Sequence, residues 1–175
     1  MKIVTSNINK LKEFNRFGLP YDSEGGIDLP EVDGTIDDVI IYKSLSAGVN
    51  KIVEDTILEV DGEEIIDIRW KIKEMNKNSD AKWIVSLGLN DGTYIKVYRG
   101  ITNGKLIKTE ELSSFGFDNY FLPDGSDLTL GELEKIGRKD DFSSRKIACL
   151  DLVNDVPILI IKISQIPNWT GKYQH

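Results

Sequence analysis

The sequence predicts an α/β protein in which a mixed central sheet is flanked by helices. Strand-like and helix-like segments alternate over the first sixty residues, and hairpin-like strands follow them. The 175-residue chain, with 40% hydrophobic residues, is also long enough to bury a core. That length fits one domain over 1–175, either compact or built as two small lobes sharing a cleft.

The elements are justified in order along the chain. "KIVTS" (2–6) is a buried strand of β-branched residues, and "NINKLKEFNRFG" (7–18) is a helix with Ile8, Leu11 and Phe14 on one side and Gly18 at its stop. "GGIDLPEVDG" is a loop, its "IDL" a short strand ended by Pro30. A second helix starts from Thr35 as N-cap, carries Asp37 and Asp38 in its first turn, offers Val39, Ile40 and Leu45 to the core, and ends near Gly48. "KIVEDTILEVDG" (51–62) is a central strand interrupted by charge, while "EEIIDIRWKIKEM" (63–75) has helical spacing at Ile65, Ile68 and Ile72 and also permits a strand. "AKWIVSLGL", "TYIKVYRG" and "GKLIKTE" form three strands joined by tight turns at "NDG" and "TNG". Helices follow at "LTLGELEKIG" and from "FSSRKIACLDLV". "VPILIIKISQI" is strand-like, although an apolar run of that length also fits a helix. Trp169 and Tyr173 beyond it are placed to cover an apolar edge or a partner.

Composition removes several kinds of chemistry. A formal charge of −7 and no dense Lys/Arg stripe argue against a nucleic-acid polymer as partner. No apolar stretch approaches the ~20 residues that cross a bilayer, so no membrane partner is expected and a cytoplasmic location is. Cys149 is the sole cysteine, which excludes an internal disulfide, and the sole histidine is the last residue, His175, which excludes histidine-based triads. Carboxylates, lysines or a hard metal remain.

Four groupings suit those tools. Ser6, Asn7, Lys10 and Glu13 lie at a strand-to-helix junction, where backbone N–H groups and Lys10 favour an anion and Glu13 is placed to orient Lys10 or to meet metal-bound water; the same pattern also describes a plain Asn or Ser cap. Glu54-Asp55-Thr56 puts acids in a run that otherwise wants burial, which points to a cation or a reacting group unless the strand surfaces there. Adjacent strand residues face opposite ways, so Asp55 facing a site turns Glu54 elsewhere. Glu31, fixed by Pro30, would with Asp55 make an oxygen donor set adequate for Mg²⁺, although a loop glutamate taken singly is more often merely solvated. Phe115, Phe117 and Tyr120 are suited to stack on a planar base, Asp118 to accept from its edge and Arg145 to donate to a carbonyl, although aromatics so spaced also describe ordinary core.

In this order the pieces resemble the inosine/xanthosine triphosphate pyrophosphatase family, in a divergent form. The shared motifs are Thr5-Ser6-Asn7 through Lys10 and Glu13, Leu29-Pro30-Glu31, Val53-Glu54-Asp55-Thr56, Phe115-Gly116-Phe117-Asp118 with Pro123-Asp124-Gly125, and Ser143-Ser144-Arg145. The resemblance implies two lobes around a nucleotide-binding cleft, a homodimer, and Mg²⁺-dependent hydrolysis of non-standard purine triphosphates such as ITP, dITP and XTP to monophosphate and pyrophosphate. It implies Glu31 and Asp55 as metal ligands, Asp55 as activator of water with Lys10 and Glu13 beside it, and Lys10 and Lys43 on the triphosphate with Ser6 and Asn7 alongside. Around the base it implies Phe117, Asp118, Lys139, Ser143 and Arg145. The chain departs from the family pattern at Ser144, where a histidine is usual, at Asn119 in place of proline, and in the segment after Thr56. Two alternatives stay open: the same chemistry on a modified or pyrimidine nucleotide, and a non-catalytic nucleotide-binding protein on a decayed enzyme scaffold.

Overall fold

The computed structural model describes residues 1–25, 28–75, 77–109 and 116–174. Strand β1 (Lys2–Val4) leads into α1 (Ile8–Arg16), which ends at Gly18 with φ of 93°. Strand β2 (Asp22–Glu24) then pairs in parallel with β1. Its three polar residues lack the apolar alternation that betrays a strand, whereas Asp28 and Leu29, expected in one, lie outside any. Ile27, the other residue of that expected strand, is outside the described residues.

Helix α2 (Ile36–Ala47) begins as the sequence predicts, with Thr35 and Asp38 forming a capping box, and stops at Gly48 with φ of 96°. Strand β3 (Lys51–Val60) pairs in parallel with β1, and the short β4 (Glu63–Glu64) folds back on its end. The ambiguous segment thus divides, becoming strand first and then α3 (Ile68–Glu74), whose N-cap Asp67 accepts from the amides of Arg69 and Trp70.

Strands β5 (Ser79–Asn90) and β6 (Tyr94–Leu106) flank the predicted "NDG" turn. The predicted second turn at "TNG" does not exist, because β6 runs straight through it. Gly104 serves a different purpose, since a Cβ there would sit 2.4 Å from the Leu122 carbonyl and 2.8 Å from the Phe121 ring. It is glycine so that β7 (Phe121–Pro123) can approach β6. Helices α4 (Leu130–Lys135) and α5 (Ser144–Val153) and strand β8 (Leu159–Lys162) complete the chain, the last resolving the final apolar run as a strand. The sheet is mixed, in the order β2-β1-β3-β5-β6-β7, with β4 on β3 and β8 on β6.

The chain forms two compact units, and their division falls within β3, β5 and β6. The first comprises Met1–Asp55, Val85–Arg99 and Arg145–His175. Its core joins Ile40, Ile41, Val53, Ile95 and Val97, and Gly88 admits α2 so closely that a Cβ would lie 2.0 Å from Ser44 Oγ. The C-terminal segment covers this unit's own surface: Tyr42 donates to the Pro167 carbonyl, the Trp169 ring lies 5.2 Å from that of Tyr42, and Tyr173 bridges Val32. The second unit comprises Thr56–Ile84 and Gly100–Ser144, with Trp83, Leu106, Phe121, Leu130 and Leu133 buried. Among the described residues no helix is long and apolar enough to cross a membrane.

Candidate active site

In the first unit the site starts with the cap of α1. Asn7 Oδ1 accepts from the amides of Asn9 and Lys10, and the Asn7 amide donates to Thr5 Oγ1. The helix start is therefore capped by its own asparagine, so two of the amides expected to face an anion are already engaged. Ser6 is exposed beside it. Lys10, one turn in, does not pair with Glu13 as its spacing implies. Its ammonium lies 3.0 Å from Glu54 Oε2, a side chain 2% exposed, while Glu13 is engaged by Arg145.

Arg145 links the group, with Nη2 at 3.6 Å from Glu54 Oε1. Two cations and two anions are thus gathered on α1, β3 and α5, and burial is tolerated because their charges offset one another. Burial opposes the charge of Arg145, but Glu54 and Glu13 outweigh it and hold its pKa above the usual arginine range. Nearby Cys149 is pushed up to about 12, chiefly by burial; Arg145 counteracts this and the two glutamates add to it. Arg145, grouped by sequence with the base-side residues, thus belongs to the first unit with its guanidinium turned to Glu13 and Glu54. Its two neighbours in the triplet belong to the second unit.

A second group surrounds Lys43 on α2. Its ammonium lies 3.3 Å from Glu31 Oε1, 3.2 Å from the Glu54 carbonyl oxygen and 3.9 Å from Asp55 Oδ1. Glu31 is held in place by its own backbone, whose carbonyl accepts from the Gln174 amide. The strand alternation puts Glu54 toward Lys10 and Arg145, and Asp55 toward Lys43. The Glu31 and Asp55 carboxylates converge on one cation and are partly open, at 29% and 18% side-chain exposure. Among the described residues no cluster of three or more metal-ligating side chains exists. A pair of carboxylates meeting at one positive charge fits Mg²⁺, which commonly takes one or two carboxylates and completes its shell with water and phosphate oxygens.

The second unit holds the residues expected near a base. Asp118 Oδ2 accepts from Lys139 Nζ at 2.7 Å, both side chains being buried. The Lys139 ammonium also lies 5.6 Å from the centre of the Trp83 ring, and Phe117 meets Trp83 edge-on at 6.1 Å. Ser143 is buried and Phe117 partly open, whereas Phe115 lies outside the described residues. Ser144 is fully buried, its hydroxyl 2.7 Å from the Trp83 carbonyl oxygen and 2.6 Å from Thr102 Oγ1. That hydroxyl is turned into the protein. Asn119 packs where a Cβ on Gly131 would lie 1.9 Å from Asn119 Oδ1, which ties this segment to α4.

Glu54 and Trp83 are the two contributors that sequence alone did not single out. Glu54 carried a signal, an acid in an apolar run, but the pattern favoured its neighbour. Trp83 carried none, because an aromatic in an apolar strand is ordinary core.

The fold is that of an α/β protein with paired acids and cations gathered on α1, α2, β3 and α5. The chain belongs to the Ham1 family, whose profile matches residues 62–155. It is 32% identical over 185 residues to the inosine triphosphate pyrophosphatase of Scheffersomyces stipitis, covering 87% of this chain and 94% of that one. Against the inosine triphosphate pyrophosphatase of Encephalitozoon cuniculi the identity is 27% over 177 residues, covering 86% and 90%. The fold matches the Staphylococcus aureus Ham1 protein with a TM-score of 0.67 at 22% identity, covering 89% of this chain and 97% of that one. A nucleoside-triphosphatase, dITP/XTP pyrophosphatase from Mycobacterium abscessus matches with a TM-score of 0.57 at 20% identity, covering 90% and 100%.

Proposed function

We propose that this protein hydrolyses non-standard purine nucleoside triphosphates, ITP, dITP and XTP, to the monophosphate and pyrophosphate, and so clears them from the nucleotide pool. The observation that carries the proposal is the convergence of Glu31 and Asp55 on Lys43, next to the Lys10–Glu54 pair. Family membership and relatives named for this reaction support it.

Lys10 and Lys43 bind the oxygens of the triphosphate, with Ser6 and Asn7 alongside. Glu31 and Asp55 would hold a divalent cation, Mg²⁺, which when bound would offset charge on the phosphate oxygens. Asp55 accepts the proton of a water attacking the α-phosphorus, and Glu13 acts at one remove by holding Arg145 against Glu54. The lysines stabilise the charge that builds on the phosphate oxygens, and pyrophosphate leaves. Phe117 stacks on the base while Asp118, Lys139 and Ser143 read its edge; Arg145 holds Glu13 and Glu54 together. The protein acts as a homodimer in the cytoplasm. A homodimer suits the exposed Ile147 and Leu150 of α5 with Ile158 and Ile160, and a reducing compartment suits the lone buried Cys149.

Incubation with dITP, ITP, XTP and the common triphosphates plus Mg²⁺ tests the proposal. Pyrophosphate released faster from the non-standard purines is the expected result. Release from a pyrimidine or modified nucleotide alone would change the substrate, and no release from any would remove the activity.

A further inference from the structure

We propose that Lys43 is a built-in occupant of the metal site, so that the protein takes up its divalent cation together with a triphosphate and only weakly without one. This rests on the assignment of Glu31 and Asp55 as metal ligands.

One ammonium group spans the Glu31 carboxylate, the Asp55 carboxylate and the Glu54 carbonyl, at 3.3, 3.9 and 3.2 Å. These oxygens come from the loop before α2 and from β3, so a single positive charge ties two distant stretches of chain. Mg²⁺ demands oxygen ligands at about 2.0–2.1 Å. An ion drawing on both carboxylates would therefore lie within a few ångströms of Lys43 Nζ, where like charges repel strongly in a partly buried setting. The acids serve both cations together only at the cost of that repulsion.

A triphosphate resolves the conflict. Its oxygens offer Lys43 a new anionic partner, and the lysine swings from the carboxylates to the phosphates. A metal would then meet Glu31 and Asp55 without that competing charge. Because the coupling is a binding free energy, it is reciprocal, so the metal tightens the nucleotide by the factor by which the nucleotide tightens the metal. Free cation alone does not fill the site, and the charged groups stay neutralised until substrate arrives.

The probe is MnCl₂ titrated by calorimetry into the whole protein, with and without the α,β-imido analogue of dITP. Lys43→Gln removes the competing charge, and its affinity for Mn²⁺ alone should rise at least tenfold over the natural protein. Lys43→Arg keeps the charge and should stay within about threefold of it. The analogue should raise Mn²⁺ affinity at least tenfold in the natural protein and distinctly less in Lys43→Gln. Equal affinity of the natural protein and Lys43→Gln for Mn²⁺ alone would overturn the proposal. Should circular dichroism show Lys43→Gln unfolded, the natural protein still decides, because no gain in Mn²⁺ affinity with the analogue overturns it equally. No uptake of Mn²⁺ by any form, analogue present or absent, would instead remove the metal assignment itself.

Discussion

The two units treat charge in opposite ways. In the first, Glu13, Glu54 and Arg145 form one buried network joined by the partly exposed Lys10, and Lys43 sits between two partly open acids. In the second, a buried pair, Asp118 with Lys139, is set among Trp83, Phe117 and Phe121. A polyphosphate with its cation needs many compensated charges, whereas a heterocyclic base needs flat apolar surface with one or two polar groups. Under the proposed function, the first set of residues suits the polyphosphate tail and the second suits a base.

The sharpest way to break this comparison is Asp55→Asn. It keeps the shape of the side chain and removes its charge, so turnover should fall roughly 10³-fold or more while thermal unfolding stays within a few degrees. A variant with unaltered pyrophosphate release would take Asp55 out of the reaction. Next is Arg145→Met, which leaves Glu13 and Glu54 buried together and should cost about 3–5 kcal/mol in a urea titration. Adding Glu54→Gln to that variant should restore part of the loss. If Arg145 acts only on the base, stability would instead be unchanged.

Smaller effects are expected in the second unit. Ser144→Ala strips the Trp83 carbonyl of its hydroxyl donor and should cost about 1–3 kcal/mol with the ranking of bases unaltered. A new base preference at full stability would mean that Ser144 reads the substrate. Phe117→Ala should raise KM about tenfold for every accepted nucleotide and move kcat less. The last effect is one of pH, through Cys149, and it is confined to alkaline solution. Its thiol ionises near 9 when unfolded and at about 12 when folded, so the folded state favours the neutral form. Stability should therefore fall as pH rises above 9 and keep falling toward 12; a Cys149→Ala variant should lose that part of the slope.

Much of this was legible from the chain, for reasons that differ between residues. The caps at Asn7 and Thr35 and the stops at Gly18 and Gly48 are local signals, and they predicted α1 and α2. The charged break in β3 marked the place where Lys10 and Lys43 are both engaged. What stayed hidden depended on distant partners. Nothing near Glu13 in sequence says that its carboxylate meets Arg145, more than a hundred residues away, and the i,i+3 rule pointed to Lys10 instead. Gly104 was read as a turn because its real cause, the approach of Phe121 and Leu122, is tertiary. The triplet Ser143-Ser144-Arg145 looked like one recognition unit, yet its hydroxyl at 144 and guanidinium at 145 go to different partners.

The most direct test of the central claim follows the oxygen of the attacking water. With ITP and Mg²⁺ in ¹⁸O-labelled water, attack at the α-phosphorus puts the label in inosine monophosphate and leaves the pyrophosphate unlabelled. Label found in pyrophosphate or in orthophosphate would contradict the account.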